Sequence, residues 1–205
     1  TNIMNIEFKN VSKKFGAKKI IKNFSKSFKR KKYAIIGDNG SGKSTLLQLI
    51  SNLMTPSDGK IIYSLDNIEI DKELFIKKII FSAPYQKLVE ELTVKEFLIF
   101  HYKFRDYIKN PLTILSEFGL ENFENTQIKN LSSGSEQKLK LLISFNTKAD
   151  LILLDEPTTN LDRKGIAIYT KTIKKYSKDK GIIIATNREK DIVFDETRNL
   201  KVYIV

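Results

Sequence analysis

The sequence predicts an α/β fold with a mostly parallel sheet, an antiparallel β layer at the amino end and an inserted α-helical subdomain. Three short, solidly apolar runs predict the parallel sheet, because strands buried on both faces show this pattern. These runs are KYAIIG (32–37), LILLD (151–155) and GIIIAT (181–186). Near the amino end, IEFKNV, IKNFSKSF and KIIYSL instead alternate apolar and polar residues, which is typical of strands with one solvated face.

The helical subdomain is predicted from the pattern between residues 93 and 147. Thr93 and Glu96 have capping-box spacing at the start of EFLIFHYKFRDY. Asn110-Pro111 opens a second segment, LTILSEF, which Gly119 ends, and SEQKLKLLISF is a third amphipathic segment.

These patterns predict one domain spanning residues 1–205. We expect an α/β core from about 1–85 and 150–205, and a helical subdomain at about 86–149.

The net charge of +12 is unevenly distributed along the chain. Residues 1–32 hold eleven Lys or Arg and one acid, Glu7. This segment could favour an anionic membrane face, nucleic acid or phosphate ligands, but a lysine-rich composition can equally reflect an AT-rich genome. The absence of cysteine excludes disulfides and thiolate metal sites and is compatible with a reducing cytoplasm. No run approaches the ~20 apolar residues of a membrane span, and the start lacks a signal peptide's apolar block.

A complete phosphate-binding motif follows the first buried strand. The run GDNGSGKS matches G-x-x-x-x-G-K-[ST] and leads into the helical pattern STLLQLI, which predicts a P-loop NTPase core. Backbone N–H groups at a helix N-terminus bind phosphate, Lys43 would reach the β- and γ-phosphates, and Ser44 would bind Mg²⁺. The predicted nucleotide contacts are Gly37, Asp38, Asn39, Gly40, Ser41, Gly42, Lys43, Ser44 and Thr45.

Two acidic residues end the second buried strand. Asp155 closes LILLD, at the sheet edge where α/β proteins bind ligands, and its carboxylate suits a magnesium shell. Glu156 comes next and could polarise an attacking water. Taken alone, an apolar strand followed by two acidic residues also fits an ordinary strand with an acidic turn. In a chain that also contains the phosphate-loop motif, it indicates nucleotide hydrolysis.

The segment Leu131-Ser-Ser-Gly-Ser135 leads into a helix ahead of Asp155. Here the chain resembles the nucleotide-binding domains of ABC transporters, whose signature L-S-G-G-Q occupies this place. EPTTNLD (156–162) is similar to the family's Walker B end and D-loop, and the resemblance covers essentially the whole chain.

The resemblance implies that ATP is shared between two domains facing head to tail. The signature of one domain, here Ser132, Ser133, Gly134 and Ser135, would cap the γ-phosphate held by the other's P-loop, with Asp162 in the D-loop. Ser133 replaces a family glycine and Ser135 replaces a glutamine. Backbone and hydroxyl donors survive both changes, and Ser133 with Glu136 could also serve as a capping box.

Further family positions follow by the same resemblance. Phe15 matches the aromatic that stacks on adenine, and Gln86 matches the glutamine that contacts Mg²⁺, although a core aromatic and a surface loop residue are the plain alternatives. The single histidine, His101, is interpreted as a packing or surface residue.

Asn187 follows GIIIAT where the family carries its switch histidine. Its amide can donate to a γ-phosphate oxygen but cannot shuttle a proton. Alternatively, Asn187 caps a helix opening at REKDIVF.

The resemblance implies an ATP-hydrolysing, Mg²⁺-dependent subunit of a compact export-type ABC transporter, including the haem-exporter kind. It would work as a homodimer or pseudodimer on separate transmembrane permease subunits, peripherally on the cytoplasmic face of the inner (plasma) membrane, with nucleic acid an unlikely partner. The candidate catalytic residues are Glu156, Asn187 and Lys43, and the candidate metal ligands are Ser44, Gln86 and Asp155. The alternatives are a soluble non-transporter ABC ATPase and a binding-dominated cassette with slow hydrolysis.

Overall fold

The computed structural model describes residues 4–176, 180–193 and 200–203. These residues form nine strands: β1 (Met4–Phe15), β2 (Lys18–Lys29), β3 (Lys32–Ile36), β4 (Asp58–Leu65), β5 (Ile68–Glu69), β6 (Ile79–Ser82), β7 (Leu151–Asp155), β8 (Gly181–Thr186) and β9 (Leu200–Tyr203). Their α-helices are α1 (Lys43–Ile50), α2 (Lys72–Lys77), α3 (Val94–Tyr102), α4 (Ser133–Asn146) and α5 (Arg163–Tyr176). Short 3₁₀ helices span Pro111–Phe118, Glu121–Phe123, Ile128–Asn130 and Glu189–Asp191.

The amino-terminal strands form an antiparallel sheet with the order β2-β1-β4-β5. Alternate residues of β1, namely Met4, Ile6 and Phe8, are buried against the core, whereas their neighbours are at least partly exposed. Phe8 packs edge-on against Phe24 and Phe28, with ring centroids 5.5 and 5.7 Å apart. The predicted antiparallel layer is therefore confirmed.

The second sheet has the order β6-β7-β8-β3-β9. Strand β8 pairs in parallel with β7 and β3, and β3 pairs in parallel with β9. Every residue of β7 and β8 is buried, as expected for strands covered on both faces. The three apolar runs are thus parallel strands, and the predicted α/β fold class is confirmed.

The predicted capping box at the start of α3 is confirmed. The Thr93 hydroxyl accepts from the Glu96 N–H, and a Glu96 carboxylate oxygen accepts from the Thr93 N–H at 2.8 Å. The predicted continuation of this helix to Tyr107 is wrong, since α3 ends at Tyr102. The chain leaves the helix because Tyr107 forms a β-bridge with Thr147, after the end of α4.

The segment LTILSEF lies in a 3₁₀ helix, Pro111–Phe118. Asn110 caps it by accepting a hydrogen bond from the Leu112 N–H, and Gly119 ends it with φ +64°. Asn110 begins this helix and Gly119 ends it, as the sequence predicts. The helix is a 3₁₀ helix, however, and not the α-helix expected for this subdomain.

The structure divides into two compact units. The first unit comprises the described residues of Thr1–Phe81, Ala149–Asp155 and Asp179–Val205, and the second those of Ser82–Lys148 and Glu156–Lys178. The single-domain boundaries derived from the sequence stay a prediction. Among the described helices, none combines the length and apolar character that a membrane span requires.

Candidate nucleotide-binding site

The phosphate loop of the first unit connects β3 to α1. Gly40 and Gly42 have φ values of +81° and +101°, in the left-handed region that favours glycine. A Cβ on Gly42 would also lie 2.8 Å from Ile20 Cγ2 on the neighbouring strand β2. Backbone geometry and side-chain packing both require glycine here, and together they direct the loop into the N-terminus of α1.

Lys43 is the first residue of α1, and its side chain is buried, with 5% exposed. Its Nζ donates to the carbonyl oxygens of Gly37 and Asp38, each at 2.8 Å. Within the described residues, no carboxylate forms a salt bridge with this ammonium group. A buried cation held only by carbonyl dipoles is well suited to an anionic ligand.

Other groups of the loop also fit a phosphate. The Ser41 hydroxyl is buried and makes no hydrogen bond with any described residue, so it is available as a donor. Ser44 and Thr45 are half-buried in the first turn of α1. The donor set therefore fits a nucleotide triphosphate, and the Ser44 hydroxyl is the kind of hard oxygen ligand that Mg²⁺ takes.

The carboxyl ends of β3, β7 and β8 lie side by side at one edge of the parallel sheet. Ile36 pairs with Thr186, and Asp155 pairs with Ala185. Asp155 is buried, with 1% exposed. The register thus brings the phosphate loop, Asp155 and the Asn187 position to the same edge, as expected for an α/β ligand site.

Asn187 contacts the phosphate loop directly. Its Nδ2 donates to Asn39 Oδ1 at 2.8 Å. The alternative in which Asn187 caps a helix is wrong: the following 3₁₀ helix, Glu189–Asp191, begins after Arg188 and has no side-chain cap. Phe194, at the end of the predicted helical segment REKDIVF, lies outside the described residues.

In the second unit, Gln86 closes a tight turn. Its Oε1 accepts from the Ala83 N–H at 2.9 Å, and its own N–H donates to the Ala83 carbonyl at 3.2 Å. The side chain is half-buried. The carboxamide oxygen, which would bind a metal, is therefore held by its own loop.

The signature segment starts α4, with Ser132 as the N-cap. The Ser132 hydroxyl accepts from the Ser135 N–H. The capping box predicted for Ser133 and Glu136 is wrong, because the helix begins one residue earlier than that pairing requires. Glu136 instead pairs with Lys140 at 2.9 Å.

Gly134 and the D-loop are in close contact within the second unit. A Cβ on Gly134 would lie 2.9 Å from the Asn160 carbonyl oxygen. Gln137 Nε2, which is buried, donates to the Pro157 carbonyl at 2.9 Å. The signature helix thus fixes the segment that carries Glu156. The exposed Ser133, by contrast, has room for a side chain where the family has glycine.

Three comparisons bear on the family. The family model described as ABC transporter matches residues 21–159. The chain belongs to the ABC transporter family. It is 29% identical to the uncharacterised ABC transporter ATP-binding protein YybJ of Bacillus subtilis, over 92% of this chain and 88% of that protein. It is 33% identical to the cytochrome c biogenesis ATP-binding export protein CcmA of Reclinomonas americana, over 90% of this chain and 85% of that protein.

Solved structures of ABC cassettes have the same fold. The dimeric structure of MJ0796, a bacterial ABC transporter cassette, superposes with a TM-score of 0.78 at 28% identity, over 97% of this chain and 94% of that one. Another structure of MJ0796 holds ADP and Pi in a post-hydrolysis state, with a TM-score of 0.77 at 27% identity, over the same shares of the two chains. The protein described here is an ATP-binding cassette, an ATPase that energises a transporter, so the predicted family and enzyme class are confirmed.

Three candidate residues of the cassette remain to be placed: Phe15, Glu156 and Asp162. Phe15 is 49% exposed at the end of β1, with Lys13 Nζ 5.4 Å from its ring centroid. Glu156 has a φ of +44°, unusual for a residue with a side chain. Asp162 accepts a hydrogen bond from the Gly165 N–H at 2.7 Å and so caps α5. The nucleotide roles of these residues stay predictions.

His101 behaves as a packing residue. Its ring stacks on Tyr107 with centroids 5.4 Å apart, and burial, aided by the nearby Arg105 charge, lowers its pKa to about 4. The imidazole is therefore neutral at pH 7. The described part of the chain contains no cluster of three or more His, Asp or Glu side chains that would hold a metal.

Several supporting residues of the cassette were not found from the sequence. Asp191 is fully buried and accepts a 2.6 Å hydrogen bond from the Thr186 hydroxyl, which fixes the segment around Asn187. Gln137 and Lys140 are polar residues on the buried face of α4. A polar residue at an apolar helical position is the signal that could have identified both, but its partner depends on tertiary contacts.

Proposed function

We propose that this cassette hydrolyses Mg-ATP at the interface of a head-to-tail dimer and transmits dimer closure to separate membrane permease subunits. The observation that carries the proposal is the buried Lys43 ammonium, which two carbonyl oxygens inside a glycine loop bind and which forms no salt bridge with the described residues. A γ-phosphate would supply the missing negative charge.

In the proposed reaction, water attacks the γ-phosphorus, the bond to the β–γ bridging oxygen breaks, and ADP and phosphate leave. Lys43 and the loop N–H groups neutralise the charge on the phosphates, and Glu156 accepts a proton from the water. Asn187 donates to a γ-phosphate oxygen. Ser44 and Asp155 would hold Mg²⁺, which would supply positive charge that offsets the charge of the phosphates. Gln86, in the second unit, is a further candidate metal ligand from the sequence.

The second cassette is needed because the signature and the phosphate loop belong to different molecules in the proposed dimer. Ser132 and Ser135 hydrogen-bond to each other at the start of a 14-residue helix, while the N–H groups of Ser133 and Gly134 and the exposed Ser133 hydroxyl are the proposed donors. The helix dipole favours a phosphate of the partner's ATP there. The dimeric structure of the similar MJ0796 cassette supports the formation of a dimer. Nucleotide thus becomes part of the interface.

The substitution Glu156→Gln tests this proposal. It keeps the shape of the side chain but removes the proton acceptor, so ATP should persist and hold the dimer closed. We expect the variant to elute as a dimer with Mg-ATP and as a monomer with Mg-ADP, measured by light scattering after size exclusion.

The exposed Glu121→Gln is the matched control, since it makes the same chemical change in the same unit. That variant should behave as the wild type, with no trapped dimer. A Glu156→Gln protein that binds ATP yet stays monomeric at high protein concentration would contradict the proposed dimer.

An apolar surface of the second unit is the proposed contact with the permease. It consists of five exposed side chains on α3 and the segment after it: Ile99, Phe100, Tyr102, Phe104 and Ile108. We call this surface the α3 patch. Three members of the patch, Ile99, Tyr102 and Ile108, line a groove of about 410 Å³ together with Leu98, Tyr107 and Pro111. Phe100 and Phe104 pack edge-on with ring centroids 5.1 Å apart, and exposed apolar side chains that cluster in this way mark interaction sites.

Phe104→Asp tests this contact because Phe104 is 70% exposed at the patch. We expect its co-purification with co-expressed candidate permease subunits to fall at least about tenfold, since a charge would be buried in the interface. Ile68→Asp, on a residue 71% exposed in the other unit, is the control and should not change co-purification. Equal loss in both variants would contradict a role for the patch.

Binding to a permease would hold the cassette on the cytoplasmic face of the membrane. The basic segment 1–32 supplies positive charge that would favour an anionic leaflet. Many of its lysines also lie on β2, an edge strand of the antiparallel sheet, where lysine blunts unwanted strand pairing. The permease is therefore the main proposed anchor.

A further inference from the structure

Lys140 is a buried lysine in the middle of the signature helix α4, with 5% of its side chain exposed. Its Nζ makes two contacts within the second unit. It lies 2.9 Å from Glu136 Oε1, one turn earlier on the helix, and it donates to the Pro84 carbonyl oxygen, also at 2.9 Å. The second contact connects the signature helix to a loop 56 residues away in sequence.

Pro84 lies inside the turn that orients Gln86. The turn is closed by the Gln86 N–H to the Ala83 carbonyl and by the Ala83 N–H to Gln86 Oε1. An amide oxygen has two lone pairs, so one remains for a metal ion after this bond is made. The direction of that lone pair depends on the conformation of residues 83–86, which the Pro84 carbonyl helps to define.

We propose that Lys140 is a positioning residue for Gln86. By binding the Pro84 carbonyl, its ammonium fixes the turn and thereby the direction in which Gln86 Oε1 would meet a metal ion. Movement of the signature helix would then reach the Gln86 turn, in the same unit, through one hydrogen bond. The inference rests on the proposed role of Gln86 as a magnesium ligand.

A purely structural role for Lys140 predicts a different outcome. A buried ion pair often contributes little net stability against an apolar side chain of similar size, so Lys140→Met would at most shift the unfolding midpoint slightly and would leave the metal dependence unchanged. A positioning role predicts altered metal dependence in folded protein. Outer-shell partners of metal ligands typically influence metal affinity in this way.

Hydrogen exchange tests the link without reference to catalysis. In Lys140→Met, the amides of Ala83 and Gln86 should exchange faster than in the wild type, because the turn has lost its tether. Exchange in β1 and β2 should not change. Lys138→Met, which removes the same charge from the same helix, should leave residues 83–86 protected.

Magnesium titration of the ATPase tests the consequence. We expect Lys140→Met to raise the Mg²⁺ concentration for half-maximal activity about tenfold, while the KM for ATP at saturating Mg²⁺ changes less than about twofold. Lys140→Arg, which keeps a charged donor, should restore most of the wild-type value. If Lys140→Met does not fold, Lys140→Gln replaces it in the same titration, because it also removes the charge.

The double variant Gln86→Ala, Lys140→Met separates the magnesium assignment of Gln86 from the positioning role of Lys140. If Gln86→Ala raises the Mg²⁺ requirement and adding Lys140→Met has no further effect, the two residues act as one unit. If Gln86→Ala raises the requirement but the Lys140 variants leave it and the exchange unchanged, the positioning inference is overturned and the magnesium assignment stands. If Gln86→Ala has no effect, the assignment of Gln86 fails, and the positioning role fails with it.

Discussion

Lys43→Ala should weaken Mg-ATP binding by roughly 10²–10³-fold, because the phosphates lose a charge-assisted contact from a buried ammonium. Lys43 is buried inside the loop, and its Nζ donates hydrogen bonds to the carbonyl oxygens of Gly37 and Asp38. Moving the same group onto a γ-phosphate needs only a local side-chain change, so little ordering entropy opposes binding. Isothermal titration calorimetry with Mg-ATP measures the effect.

The control for this loss is Lys60→Ala, an exposed lysine on β4 in the same unit. It should bind Mg-ATP within about twofold of the wild type, because exposed charges at a distance are screened. The unfolding midpoint of each variant without nucleotide should confirm that both are folded. If Lys43→Ala binds Mg-ATP as tightly as the wild type, the phosphate loop is not the nucleotide site.

The features predictable from sequence are those fixed by local chemistry. The apolar run LILLD became β7 because only a strand covered on both faces buries such a run, and the glycines of the phosphate loop adopt positive φ as the motif requires. Thr93 and Glu96 formed their capping box because both partners lie within four residues. Such signals need no knowledge of the rest of the chain.

The failures depend on tertiary contacts. The end of α3 is set by the pairing of Tyr107 with Thr147, 40 residues later, and periodicity alone continues the helix past it. Ser132 rather than Ser133 became the N-cap of α4, where consecutive serines give equivalent local signals. The role of Lys140 requires Pro84 as a partner, which helical patterning cannot reveal.

Asn187 has one feature that the local sequence predicts and one that depends on tertiary contacts. Its position after β8 was predictable from the motif frame, whereas its contact with Asn39 required the parallel pairing of β8 with β3. That contact uses one of the two N–H groups of the Asn187 amide. The other N–H can donate to a γ-phosphate oxygen, and the amide oxygen can accept from the attacking water. A neutral side chain can therefore orient both reactants without carrying charge.

Asn187→Ala should lower kcat by roughly 10²–10³-fold, the cost of one lost preorganised donor. The unfolding midpoint should change little, because the side chain is exposed and caps no helix. Asn187→His should keep kcat within about threefold of the wild type, since phosphoryl transfer depends on positioning and electrostatics. The histidine variant should also gain a pH dependence near the imidazole pKa of about 6.5 that the wild type lacks.

Steady-state kinetics, with the unfolding midpoint measured on the same samples, separate the possible roles of this residue. If Asn187→Ala keeps full kcat, the residue does not contact the reacting phosphate. If Asn187→His instead raises kcat by about 10²-fold or more, proton transfer or positive charge limits the wild-type rate, and the protein is a slow, binding-dominated ATPase. We expect neither result, because the Asn39 contact already holds the Asn187 amide against the phosphate loop, where a donor to the γ-phosphate is needed.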